Sequence, residues 1–263
     1  TGSPVCTVGY EHSSRTPSFS RFAVMPTLDA QLRTDAIAER LDHLRERIDQ
    51  ACQRAERSPD EITVVAVSKT FPLDAIQAAT EVGLNQFGEN RARELRDKAK
   101  ERPGDVNGGD ILWRFMGHLQ RNKAKFIARH ADTFDALDSP RLAKELDKRA
   151  AKNDRVLPCL VQVNITEQDR KYGILPEEVH DFLDSCQQYE HLSIRGLMAM
   201  ARYIEDASDR DIVRQQFQEM RRLFDTYNAA TTDGVAMDTL SIGMTNDLEI
   251  AIEEGSTMIR PGS

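Results

Sequence analysis

The sequence predicts an α/β protein folded as a (β/α)8 TIM barrel, on three observations. Eight short apolar or β-branched runs recur along the 263 residues, almost every pair is separated by a stretch of helical periodicity, and the residues ending those runs are unusually polar. Parallel neighbours need long crossovers, so strands that alternate with helices build a parallel sheet. Eight units in a chain close to the ~250 residues of a single barrel favour closure over an open doubly wound sheet, which periodicity alone does not exclude.

The elements follow in order. Ile37, Leu41, Leu44, Ile48 and Ala51 recur at spacings of four and three, the mark of an amphipathic helix, here an extra one ahead of the first strand. Ser58-Pro59 punctuates its exit, and residues 62–67 are a β-branched run suited to a strand buried on both faces. Pro72 opens a second helix that Gly83 closes. Further strands are predicted at 84–87, 111–116, 133–137, 156–163, 194–199, 239–242 and 257–260. Helices are predicted at 91–100, 121–130, 141–151, 177–189, 212–227 and 247–254. Residues 35–263 thus read as one barrel domain whose C-terminal end looks truncated, because Ser263 follows the eighth strand directly and the closing seam is left without its helix.

Residues 1–34 are expected to form a separate, poorly ordered extension. Residues 1–30 are rich in Ser, Thr and Pro, carry one acidic residue, Glu11, and contain no apolar core for a secretory signal. The stretch is weakly transit-like; an appended segment, or sequence lying ahead of a start at Met25, is the preferred account.

Composition removes several function classes. With 35 Lys+Arg against 43 Asp+Glu the net charge is −8, which argues against nucleic-acid binding, and Lys123 and Lys125 read as a solvated helix face. There is no apolar run of membrane-spanning length. Cys6, Cys52, Cys159 and Cys186 are widely spaced and supply no zinc-ligand pairs, so a reducing, cytoplasmic setting is expected, with Cys159 and Cys186 as core residues.

A barrel keeps its working residues at the C-terminal ends of its strands. Those ends carry Lys69, Glu89-Asn90, Gly117-His118, Asp138-Ser139, Asn164, Met200, Ser241–Gly243 and Arg260–Ser263. Lys69, set after ITVVAVS, is expected to be desolvated at the barrel mouth, which lowers a lysine's pKa and makes the amine nucleophilic. Snorkelling off the strand end, or pairing with Glu89, accounts for it equally well. LSIGMTND and RPGS place Ser241, Gly243, Thr245, Gly262 and Ser263 in the loops after strands seven and eight, which often form a phosphate cup. Plain helix capping by Asn246 is the alternative. A reactive amine across the mouth from a phosphate cup suits pyridoxal phosphate (PLP). Arg260, permanently protonated, would face the pyridine nitrogen as a donor and leave the ring a weak electron sink, unless it instead binds the phosphate or Glu253.

AVSKT (66–70), FGEN (87–90), FMGHLQRNK (115–123), GLMAM (196–200), LSIGMTND (240–247) and GSTMIRPGS (255–263) together resemble the signature blocks of the pyridoxal phosphate homeostasis protein family. The resemblance runs from Leu41 to the end. It implies a barrel like the N-terminal domain of alanine racemase, with PLP in Schiff-base linkage to Lys69. It further implies that Asn90 lies near the cofactor, that Ser241 and Gly243 form the phosphate-side loop, that Arg260 stands at the pyridine nitrogen, and that Gly262 and Ser263 close on the phosphate. His118 matches the GHLQ block without a clear cofactor contact, and Lys171 of DRKYG is assigned to solvent. Pro261 departs from the usual aliphatic residue and removes an N–H donor.

Two functions compete. A racemase needs acid–base groups on both faces of its substrate, and enzymes of this barrel type recruit the second from an additional domain and a partner subunit. The residues from Ile62 onward are all consumed by the barrel, so the expectation is a PLP carrier or regulator with little or no catalysis. Its partners would be PLP, amino acids and PLP-dependent apo-enzymes, and it would act as a monomer or weak dimer. A Schiff-base aldolase is disfavoured by Arg260 and by the family blocks.

Overall fold

The computed structural model describes residues 28–101, 111–166, 172–229 and 237–262. Nine strand segments form one wholly parallel sheet: β1 (Thr63–Val64), β2 (Ala66–Val67), β3 (Gln86–Glu89), β4 (Leu112–Phe115), β5 (Thr133–Leu137), β6 (Leu157–Val163), β7 (Leu192–Ala199), β8 (Thr239–Ser241) and β9 (Met258–Ile259). Helices α1 (Leu28–Arg54), α2 (Leu73–Glu81), α3 (Ala92–Lys100), α4 (Ala124–His130), α5 (Pro140–Ala151), α6 (Val179–Cys186), α7 (Ala207–Ala229) and α8 (Leu248–Glu253) cover its outside.

The first two segments are halves of the single predicted strand, parted only by Val65. β1 pairs with β9 while β2 pairs with β3, so one stretch of chain is bonded on both sides and the sheet closes on itself. Val65 donates its N–H to the Ile259 carbonyl at 3.0 Å and Val67 donates to that of Pro261 at 3.0 Å. The other strands match their predicted positions with ends displaced by one or two residues.

The seam is not bare, contrary to the expectation from a missing last helix. Ile48, Ala51 and Cys52 of α1 pack with Ile62, Leu248, Ile252 and Ile259 in one buried cluster, so the N-terminal helix covers the junction between the first and last strands. Arg47 of α1 pairs with Glu249 of α8 at 2.6 Å, and Arg54 with Glu253 at 2.7 Å. Helix α1 also begins at Leu28, inside the stretch assigned to the extension. Its early turns are tied to α2 by an Arg33–Asp74 ion pair and by Thr34, whose hydroxyl donates to Glu81. Residues 1–27, Cys6 among them, lie outside the described residues.

The main core lies between sheet and helices, and Trp113 and Phe115 belong to it, as expected. Cys159 and Cys186 are buried there as free thiols, and burial pushes the Cys186 thiol up to about 11. Strands β7 and β8 approach so closely that a methyl group on Gly196 would collide with the Thr239 carbonyl. Gly196→Ala is therefore expected to cost about 1–3 kcal/mol, the usual penalty of overpacking, measured as a lower urea midpoint at unchanged slope.

Candidate functional site

Strand closure decides what the barrel mouth brings together. Because β1 pairs with β9 and Val67 of β2 bonds to Pro261, the Arg260–Gly262 loop adjoins the strand that leads into Lys69 rather than facing it across the barrel. A Cβ on Gly262 would lie 3.1 Å from the Val67 Cβ, two residues before the lysine. The glycine-containing loops after β8 and β9 and the lysine thus share one wall.

Lys69 itself is exposed, which corrects the expectation of a desolvated amine. Nor does it pair with Glu89. That carboxylate is fully buried and accepts from Ser68 Oγ at 2.7 Å and from Lys98 Nζ at 2.7 Å, with burial pushing its pKa up. Asn90 is exposed at the end of β3, its carbonyl packed so tightly on Gly117 that an added Cβ would lie 2.5 Å from it.

Arg260 is buried at the end of β9. Its Nη1 donates to Ser241 Oγ at 2.5 Å and to the Ser241 carbonyl at 2.7 Å, and its Nη2 donates to the Ala199 carbonyl at 2.7 Å. It does not reach Glu253, which pairs with Arg54 and Arg214. Burial pulls the guanidinium down to about 10 against the opposing influence of Asp135 and Asp247, so it remains protonated at neutral pH. Among the described residues no carboxylate forms an ion pair with it. A buried cation held only by carbonyls and a hydroxyl retains donor capacity toward an aromatic nitrogen, and in this respect the residues fit a pyridine ring.

The loops after β8 and β9 are stitched together. Thr245 Oγ1 donates to the Gly262 carbonyl at 2.5 Å and accepts from the Gly262 N–H at 3.0 Å, while Arg260 donates its own N–H to the Gly243 carbonyl at 2.9 Å. Gly243 has φ +98°, where a side chain would be strained, and a Cβ there would lie 2.6 Å from that of Ala251. Asn246 does not cap α8: Asp247 holds the N-cap position and its carboxylate accepts from the Met244 N–H at 2.5 Å. Ser263 and Lys171 lie outside the described residues.

Burial raises the Asp247 carboxyl, against the opposing effects of the Met244 N–H and Arg260. A carboxyl raised in the folded state contributes stability in acid that is lost as pH climbs through its folded value. Asp247→Asn, which keeps an acceptor for Met244, is therefore expected to be the more stable protein at neutral pH. That advantage should vanish below the ordinary aspartate value of 3.8, as followed by thermal unfolding of both proteins across the range.

Three further groups lie near this architecture. His118 Nδ1 stands 3.1 Å from Asp138 Oδ2, and its ring stacks on Tyr172 with centroids 3.7 Å apart. Arg114, placed simply as a polar residue between two core aromatics, forms a buried two-point pair with Asp135 at 2.7 and 3.0 Å. Lys98 and Glu94 of α3 grip the residues flanking Lys69. Strand alternation put Arg114 on the face opposite Trp113 and Phe115, the one sequence signal available for these pairs.

A closed parallel barrel with a lysine at one strand end and glycine loops after the last two strands defines a class. The chain matches the family described as alanine racemase, N-terminal domain, over residues 40–263. It is 37% identical over 227 residues to the pyridoxal phosphate homeostasis protein of Escherichia coli K12, spanning 86% of this chain and 94% of that protein. The protein of the same name from Aquifex aeolicus is 35% identical over 225 residues, 86% of this chain and 95% of its own. This chain belongs to the pyridoxal phosphate homeostasis protein family. Among solved structures, PipY from Synechococcus elongatus with PLP bound superimposes with a TM-score of 0.71 at 30% identity, over 86% of this chain and 97% of that one. Alanine racemase from Corynebacterium glutamicum shares the fold, with a TM-score of 0.61 at 15% identity over 87% of this chain and 59% of its own.

Proposed function

We propose that the protein binds pyridoxal 5′-phosphate in intracellular PLP homeostasis, holding it as a Schiff base on Lys69 with little or no catalysis. The observation that carries this reading is the shared wall: an exposed amine after β2, a buried protonated guanidinium just after β9 and glycine-containing loops after β8 and β9, all at one end of one barrel. PipY, related in sequence and structure, has been solved with PLP bound, which supports the same ligand here.

When bound, the cofactor supplies an aldehyde that an amine can capture reversibly. Lys69 is the capturing amine, and its exposure allows exchange with an incoming amine or a recipient protein. Arg260 would donate to the ring nitrogen and leave it unprotonated, which weakens the ring as an electron sink. Gly243, Gly262 and Ser241 would line the phosphate side and Asn90 would border the ring, while Ser263, which the family resemblance also assigns to the phosphate, lies outside the described residues. Pro261 contributes no N–H to the phosphate, yet its carbonyl serves closure by accepting from Val67. Cytoplasmic apo-enzymes that need PLP are the recipients, amino acids are the competing amines, and a monomer or weak dimer suffices. Among the described residues no helix is long and apolar enough to cross a membrane.

The test is the visible spectrum of the purified protein mixed with PLP, before and after borohydride. An imine band that disappears on reduction supports the reading; a spectrum identical to free PLP at saturating protein would overturn it.

A further inference from the structure

Lys98 is a lysine that the binding site does not need for any direct contact, yet its ammonium is buried and bonded on three sides. It lies on α3, in the layer outside the sheet, and its side chain is 9% exposed. An ammonium has three protons to donate, and here each has an acceptor. Nζ donates to Glu89 Oε1 at 2.7 Å, to Glu94 Oε1 at 2.8 Å and to the Ser68 carbonyl at 2.9 Å. Ser68 is fixed a second time, since its hydroxyl donates to the same Glu89 oxygen at 2.7 Å. Glu94, steadied by Lys98, accepts the Thr70 N–H at 2.6 Å.

Ser68 and Thr70 are the two neighbours of Lys69. The backbone on either side of the exposed amine is therefore held by one charged cluster drawn from β3 and α3. Thr70 has φ +68°, a left-handed conformation that a non-glycine residue keeps only where its surroundings over-determine it. Its N–H bond to Glu94 is such a constraint. An ordinary Glu-Lys pair one helical turn apart would need no bond to a loop after another strand, and both members here make one.

We propose that Lys98 is a positioning residue for Lys69: through Ser68 on one side and, by way of Glu94, Thr70 on the other, it fixes the backbone that presents the reactive nitrogen. The inference rests on the reading of Lys69 as the PLP-capturing amine. Charge-assisted bonds of this kind are the strong ones, and a site held loosely by its supporting groups loses function while keeping its residues.

The experiment compares the parent with Lys98→Met, Glu94→Leu and Glu94→Gln, each first shown to be folded by circular dichroism and thermal unfolding. Two quantities are read: imine formed at fixed PLP, and hydrogen exchange of the peptide containing Thr70 in protein without PLP. Lys98→Met and Glu94→Leu should each form imine with roughly tenfold weaker equilibrium, about the worth of one charge-assisted hydrogen bond, and should lose protection at Thr70. Glu94→Gln retains an acceptor for the Thr70 N–H and should stay close to the parent in both readouts. Equal losses in Glu94→Leu and Glu94→Gln, or parental imine formation in Lys98→Met, would overturn the proposal. Glu94 is only half-buried, so its two variants decide the matter if Lys98→Met does not fold. Should the parent itself form no reducible adduct, the PLP reading fails, whereas the exchange data still report whether the clamp exists.

Discussion

Lys69→Ala is expected to abolish the borohydride-reducible imine while leaving the barrel folded. The residue is exposed and no described hydrogen bond or ion pair of the fold depends on its ammonium, so its removal should leave the urea midpoint nearly unchanged. On the proposed reading, what would remain for PLP is the non-covalent part of the site: Arg260 on the ring side, with the glycine loops and Ser241 on the phosphate side. Affinity should fall on the order of 100-fold, equivalent to about 2.7 kcal/mol, and the residual binding should be reversed by inorganic phosphate. Dialysis against PLP with absorbance readout separates the two components. A variant that still yields a reducible adduct would show that another amine does the work.

Arg114→Met should have the largest effect on stability. Asp135 is fully buried on β5 and its two oxygens are each met by an Arg114 nitrogen. Taking away only the cation leaves a carboxylate that can neither reach water nor find a partner, a loss of about 3–5 kcal/mol for a broken buried pair. Arg114→Met combined with Asp135→Leu should recover most of it, because desolvation of both charges is then avoided. Guanidinium unfolding of the two variants measures this directly. The pair also has a consequence at the site. Asp135 supports the charge on Arg260 while Arg114 opposes it, so removing Arg114 alone raises Arg260's hold on its proton and Asp135→Leu lowers it.

The linear pattern revealed the order of elements and the chemistry at their ends, and little of what surrounds them. Lys69, Ser241, Gly243, Arg260 and Gly262 stand at strand ends because periodicity locates strand ends well. Desolvation of Lys69 was a different matter, since it depends on what covers the mouth, and no local pattern encodes that. The stripe from Ile37 to Ala51 identified α1 and its buried face; a stripe does not say against what it packs, so its role as the cover of the barrel seam was hidden. The placement of amine and anion loops on opposite walls overlooked that closure makes the first and last strands neighbours. Lys98, four residues after Glu94, has the look of any surface pair, and only the packing of α3 on β3 makes it a buried clamp.

One measurement tests the account most directly. The protein is loaded with PLP, reduced with borohydride, digested, and the pyridoxyl mass located among its lysine peptides. A single modified peptide carrying Lys69, with Lys123 and Lys125 untouched, is the predicted result. Modification confined to exposed helix lysines, or spread across them with Lys69 spared, would contradict it.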